Sequence, residues 1–177
     1  MIKTRTVDYL IIGYGNTLRG DDGAGPRVAE AVAGWGMPNV RAISAAQLTP
    51  ELAEALAGAE VVIFVDAQVG QAAGRPAASI TFEPLAADDE RPLEAHRSDP
   101  RQLLALTRQL YGRCPSAWLI AIPGVCFDFG EALSAVAQQG VDEALRRICA
   151  LLTGQQNLAH GATPLSRNRS YAVGWRT

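Results

Sequence analysis

The chain has 177 residues, 48% hydrophobic and 19% charged, with a formal net charge of -2. This is the composition of an ordinary globular chain of one domain, and the charge gives no general attraction to nucleic acid or to an anionic membrane, so neither is an expected partner. Three cysteines (Cys114, Cys126, Cys149) are odd in number and form no C-x-x-C pair, which argues against a disulfide framework or structural zinc and suits a reducing cytoplasm. No apolar run approaches the roughly 20 residues of a membrane span, and none has the pattern of a signal peptide. A cytoplasmic location is expected.

Val7 to Ile12 is an apolar run, broken only by Asp8, with β-branched residues, which predicts a strand buried on both faces. Pro26 suits a first helical position, and Val28, Ala31, Val32 and Trp35 follow at helical spacing until Gly34 and Gly36. Val40 to Ser44 predicts a short second strand. Thr49-Pro50 opens a helix with Leu52, Ala55 and Leu56 on one face. Val61 to Val65 is a third buried strand, ending at Asp66, and Ser79 to Phe82 is a shorter fourth, near an edge. Asp99-Pro100 starts a helix carrying Leu103, Leu106 and Leu110, and Trp118 to Ile122 is a fifth strand. A last helix, capped by Ser134, carries Val141, Ala144, Leu145, Ile148 and Leu152.

Strands alternating with helices imply an α/β fold of three layers: a five-stranded, mainly parallel sheet with helices on both faces. A single domain is expected over residues 1–152. Residues 83–98 read as an irregular connection, with Glu83, Asp88, Asp89, Glu90 and Glu94 against Arg91 and Arg97. Residues 153–177, with three arginines and no acid, read as a poorly ordered tail.

The stretch GYGNTLRGDDGAG, residues 13–25, begins like a phosphate-binding turn. A dinucleotide fingerprint requires a third glycine where Leu18 stands, and an acid near the end of the second strand, where Ile43-Ser44 stands. Asp21 and Asp22 would repel a pyrophosphate, and no G-K-[ST] follows, so no nucleotide is expected. Either aspartate alone reads most simply as a helix cap, but both cannot cap one turn.

Ligands of open parallel sheets sit at the carboxyl ends of the strands, where the winding direction reverses. If the first and third strands are neighbours, Asp22 and Asp66 face one crevice, and His96, three residues before Asp99, is placed to approach the same edge. Such a trio would suit a divalent transition metal with open positions. Each member has a plainer reading: a cap for Asp22, an Asx-turn for Asp66 and a solvated loop for His96. Cys126 reads as a buried, inert thiol rather than a nucleophile, since its neighbours are apolar. Phe127 and Phe129 are expected either to dock a partner or, more simply, to pack in the core.

The segments IIGYGNTLRGDDGAGPRVAE, VVIFVDA and HRSDPRQLLALTRQLYG, followed by WLIAIPGVCFDFGEALS, together resemble the nickel-iron hydrogenase maturation endopeptidases. The resemblance runs from about Asp8 to Leu152. It implies a three-layer α/β fold with a five-stranded sheet, and an endopeptidase that removes a C-terminal peptide from the hydrogenase large-subunit precursor once nickel has been inserted. It further implies that Asp22, Asp66 and His96 contact the metal and carry catalysis, with the nickel arriving on the substrate. Many relatives have glutamate where this chain has Asp22. Gly15, Asn16 and Asp21 are then expected to meet the substrate chain, with Asn16 alternatively stabilising its own turn. Two other readings stand beside this one: a hydrolase with a permanent divalent metal, and a non-catalytic chaperone that checks a partner for nickel.

Overall fold

The computed structural model describes residues 8–69, 79–88 and 99–154. The chain order is β1 (Tyr9–Tyr14), a 3-10 turn (Gly20–Gly23), α1 (Ala24–Ala33), β2 (Val40–Ala45), α2 (Leu52–Ala57), β3 (Val61–Val69), β4 (Thr81–Leu85), α3 (Pro100–Tyr111), β5 (Ser116–Gly124) and α4 (Ala135–Leu152). The sheet order is β2-β1-β3-β5-β4, parallel throughout except for β4, which runs antiparallel along β5 at the edge. The expected fold class is therefore the observed one. Residues 155–177 of the expected tail, like Asp89, Glu90, Arg91, Glu94 and Arg97 of the irregular connection, lie outside the described residues.

Two cores flank the sheet because alternate residues of each buried strand face opposite ways. Leu10, Ile12, Tyr14, Val62 and Phe64 meet Leu56 of α2 and Leu103 and Leu104 of α3. Ile11, Ile63, Val65, Ile120 and Ile122 meet Val28 and Val32 of α1 and Val141, Ala144 and Ile148 of α4. The strand parity thus sends Asp66, in step with Val62 and Phe64, toward the α2/α3 side.

Several boundaries differ from the sequence expectation. β3 runs beyond Asp66 to Val69 because β5 pairs with it along its whole length, ending at Val69 against Gly124. β4 begins at Thr81 and takes in Glu83, so the irregular connection starts later than residue 83. α1 begins at Ala24 because the 3-10 turn runs straight into it, and Trp35 lies past its end, exposed. In α3 the buried stripe is Leu103, Leu104 and Thr107, not Leu110, which is 61% exposed. The Thr107 hydroxyl donates back to the Leu103 carbonyl at 2.7 Å, which lets a polar residue occupy a buried helical position. The expected caps are present: the Asp99 carboxylate accepts from Arg101 N–H at 2.9 Å, and Ser134 Oγ accepts from Ala137 N–H at 3.2 Å.

One glycine fixes how closely α1 approaches the sheet. A Cβ on Gly25 would collide with the Val65 carbonyl and stand 2.6 Å from the Tyr14 carbonyl oxygen, both backbone atoms that cannot swing aside. Gly25→Ala is expected to push α1 off the sheet and cost about 3 kcal/mol, the upper end of overpacking penalties. Urea unfolding checks it, and a variant within about 1 kcal/mol of the parent would contradict this packing.

Candidate active site

The winding direction of the sheet reverses between β1 and β3: the chain leaves β1 for β2 on one side and returns to β3 on the other. The carboxyl ends of these two strands carry the acids. β1 stops pairing with β3 at Gly13 against Val65, so Asp66 is the first β3 residue beyond that ladder. Its carboxylate accepts from the Tyr14 hydroxyl and from the Ala67 N–H. Burial raises its pKa most, and the negative charge of Asp22 raises it further; the two donors pull the other way. The net effect holds the carboxyl at about 6. Tyr14, only 7% exposed, is pushed upward by burial and then by the charge and hydrogen bond of Asp66, with a smaller push from Asp99.

The two neighbouring aspartates of the glycine turn have separate tasks, and neither caps α1. Asp22 is half-buried, and its Oδ2 accepts from Asn16 N–H at 2.7 Å. It stands near enough to Asp66 for the two charges to interact. Asp21 is 0% exposed. Its Oδ2 accepts from the Val125 and Cys126 N–H groups at 2.7 and 2.9 Å and from the Ser134 hydroxyl at 2.8 Å. Its Oδ1 accepts from Ser134 N–H at 2.6 Å. Burial would raise the Asp21 carboxyl, but these donors outweigh it and hold the group below its usual range.

Asp21 therefore stitches the β1–α1 turn to the connection between β5 and α4. The same seam holds Gly20 N–H to the Gly130 carbonyl at 2.7 Å, Gly130 N–H to the Leu18 carbonyl at 2.9 Å, and Asp21 N–H to the Cys126 carbonyl at 2.8 Å.

This changes the roles expected of three residues. Asp21, expected on the substrate face, is enclosed, because a carboxylate that satisfies four internal donors has no need of an outside one. Asn16 takes the turn-stabilising alternative: its Oδ1 accepts from Leu18 N–H at 2.9 Å. Gly15, at φ +140°, is needed by the turn itself, since a Cβ there would strike the Asp22 carbonyl. Cys126, expected to be buried, is exposed, because its backbone faces Asp21 and its side chain faces outward. Phe127 is half-buried against Gly124, whereas Phe129 is 89% exposed and not core.

Of the expected trio, Asp22 stands near enough to Asp66 for its charge to act on that carboxyl, and His96 lies outside the described residues. Among the described residues no three His, Cys, Asp or Glu side chains form a group able to hold a metal ion. A pair of carboxylates, one shifted toward neutrality by burial, can hold a proton near pH 6 or offer charge to a cation brought by a ligand.

Tyr14 was missed as the neighbour of Asp66, and Asp99 as a charge that acts on Tyr14. The signal for Tyr14 was available: strand alternation puts it on the face of Leu10 and Ile12, the same side as Asp66.

No protein-family model and no curated protein sequence matches this chain. Solved structures do match it. One is a [NiFe] hydrogenase maturation protease, HycI, from Thermococcus kodakarensis KOD1, at TM-score 0.66 and 19% identity, covering 85% of this chain and 95% of that one. Another is the hydrogenase maturating endopeptidase HybD from E. coli, at TM-score 0.67 and 19% identity, covering 84% and 94%. A third is a hydrogenase 2 maturation peptidase from a Thaumarchaeota archaeon, at TM-score 0.60 and 24% identity, covering 82% and 98%. The likeness at these identities is one of fold, and it extends over nearly the whole of each solved chain.

Proposed function

We propose that this protein is an endopeptidase of the nickel-iron hydrogenase maturation family, which removes a C-terminal peptide from the nickel-loaded large-subunit precursor. The observation that carries the reading is Asp66, held at about 6 beside Asp22 at the switch point of a sheet whose fold matches solved maturation endopeptidases. The nickel belongs to the substrate. Asp22, Asp66 and His96 are its protein contacts in this reading, and a metal so placed would polarise the carbonyl of the bond to be cut or supply the hydroxide that attacks it. Support for His96 comes from its sequence segment and from its distance of three residues from Asp99, a span of at most about 11 Å of chain. The charge of Asp99 reaches Tyr14, the partner of Asp66.

Tyr14 keeps the Asp66 carboxylate in one orientation, and the Asn16 N–H does the same for Asp22. The three cysteines are free, which suits the cytoplasm, where we place the reaction. No helix among the described residues is long and apolar enough to cross a membrane.

Incubation with nickel-loaded and nickel-free precursor, followed by mass measurement, tests the reading. The nickel-loaded sample is expected to lose a C-terminal peptide and the nickel-free sample to stay intact. Asp22→Asn and His96→Ala are each expected to slow cleavage by at least about 100-fold, with unchanged circular dichroism. An intact nickel-loaded precursor would overturn the peptidase reading. Stoichiometric zinc in the purified protein would overturn the substrate-borne metal.

A further inference from the structure

The connection from β5 to α4, residues 125–134, forms neither helix nor strand, yet it is pinned along its length. At its start the Val125 and Cys126 N–H groups donate to the Asp21 carboxylate, and at its end the Ser134 N–H and hydroxyl donate to the same group. Between them, Arg19 donates to the Phe127 carbonyl and Arg27 Nη2 to the Glu131 carbonyl at 2.9 Å. Loops that a rigid scaffold positions in this way commonly carry binding or catalytic side chains.

The two phenylalanines of this connection take opposite courses. Phe127 folds back over Gly124, where an added Cβ would stand 2.5 Å from its ring. Phe129, two residues on, is 89% exposed. A second apolar residue is held beside it. Gly130 pairs with Arg19 in an isolated parallel bridge, and its N–H donates to the Leu18 carbonyl at 2.9 Å. The peptide group that follows Phe129 therefore lies against the one that follows Leu18, and Leu18 is 46% exposed. One exposed apolar side chain is ordinary, but two held side by side on pinned backbone make a patch fitted for contact.

The turn that presents Leu18 also presents Asp22. Asp22 N–H donates to the Arg19 carbonyl at 3.1 Å, and its carboxylate accepts from Asn16 N–H at 2.7 Å. Leu18 thus lies within the loop that this carboxylate closes. A second copy of this chain, seated permanently on the turn, would crowd Asp22 and obstruct the crevice. The occupant that can lie over Leu18 and Phe129 while the site works is the one that brings the bond to be cut.

We infer that Leu18 and Phe129 form an apolar docking point for the large-subunit precursor, beside the Asp22 carboxylate. The inference rests on the peptidase reading. A protein whose chain reaches Asp22 extends over the turn around it, and the centre of a protein interface is rich in aromatic and poor in charged side chains. Because the backbone of both residues is fixed beforehand, little ordering is left to oppose binding. Phe129, the larger and more exposed of the two, is the main anchor.

Neither side chain is among the pins, so Phe129→Ala, alone or with Leu18→Ala, is expected to melt like the parent. With nickel-loaded precursor, Phe129→Ala is expected to raise the half-saturating concentration about tenfold, and the double variant about thirtyfold. The loss falls on binding, so the rate at saturating precursor is expected to stay within about twofold of the parent. Phe129→Leu, which keeps an apolar side chain, is expected to raise the half-saturating concentration less than about threefold. Parent-like concentration dependence in the double variant overturns the inference while the peptidase reading stands. A loss in Phe129→Leu as large as that in Phe129→Ala overturns the apolar contact. Light scattering tests the other occupant: a dimer of the unaltered protein that Phe129→Ala dissociates assigns the pair to a second copy and overturns the inference. Failure of the unaltered protein to cut the precursor overturns the peptidase reading, and the docking point with it.

Discussion

Asp66→Asn is expected to abolish precursor cleavage and, at pH 7.5, to melt at a higher temperature than the parent protein. Both effects come from one cause. The carboxyl is raised from 3.8 to about 6, chiefly by burial, so the folded state disfavours its charged form. The group's contribution to stability is therefore fully present below pH 3.8. It is lost as pH rises toward 6, and above that the folded protein carries the whole penalty of the buried charge. A shift of about two units corresponds to roughly 3 kcal/mol at most. Asparagine cannot ionise, and its side-chain oxygen still accepts from Tyr14. The variant is expected to gain about 1–3 kcal/mol at pH 7.5 and to match the parent near pH 4. Cleavage of nickel-loaded precursor is expected to fall by about 1,000-fold or more, as when a charged group at a reacting centre is removed. Paired thermal melts at the two pH values and a cleavage assay check the two halves separately. Equal melting at pH 7.5 would remove the account of a charge held against its preference, and retained cleavage would remove Asp66 from the chemistry.

The second large effect is on folding. Asp21→Ala deletes the acceptor of four hydrogen bonds and strands the Val125, Cys126 and Ser134 N–H groups in a seam where Asp21 itself is 0% exposed. A loss of about 3 kcal/mol or more is expected, since leaving a buried donor unsatisfied costs about 1–3 kcal/mol. Urea titration measures it. The pH dependence has the opposite sign to that of Asp66. The Asp21 carboxyl lies below its usual range in the folded protein, so its stabilisation is present above about pH 4 and lost as pH falls below it. The acid limb of the stability curve should accordingly be shallower in Asp21→Ala than in the parent. Asp21→Asn keeps one oxygen but turns an NH2 toward donors, so it is expected to recover little. A variant that unfolds at the parental urea concentration would show that the seam does not hold the turn to the β5–α4 connection.

These two residues adjoin the same glycine turn or its crevice, and they mark the limit of what was legible in advance. The continuous apolar runs at β1 and β3 announced strands buried on both faces, because burial on two sides leaves no polar position in the pattern. Asp99-Pro100 and Ser134 announced the starts of α3 and α4, because a cap is a contact between residues two or three apart. The alternation of these elements was enough to give a mainly parallel sheet with helices on both faces, and with it the rim where the charge of Asp22 acts on Asp66.

What the amino-acid order determined alone is thus whatever depends on near neighbours: the elements, their caps, the glycine turn and the presence of two acids at strand ends. The tertiary structure decided which of two adjacent aspartates turns inward, since the donors that claim Asp21 lie 104, 105 and 113 residues away. It also decided that β3 outruns β1, that Tyr14 holds Asp66, and that Phe129 and Cys126 face water. Each of these is set by a partner brought close only when the sheet closes, and local periodicity carries no information about such partners.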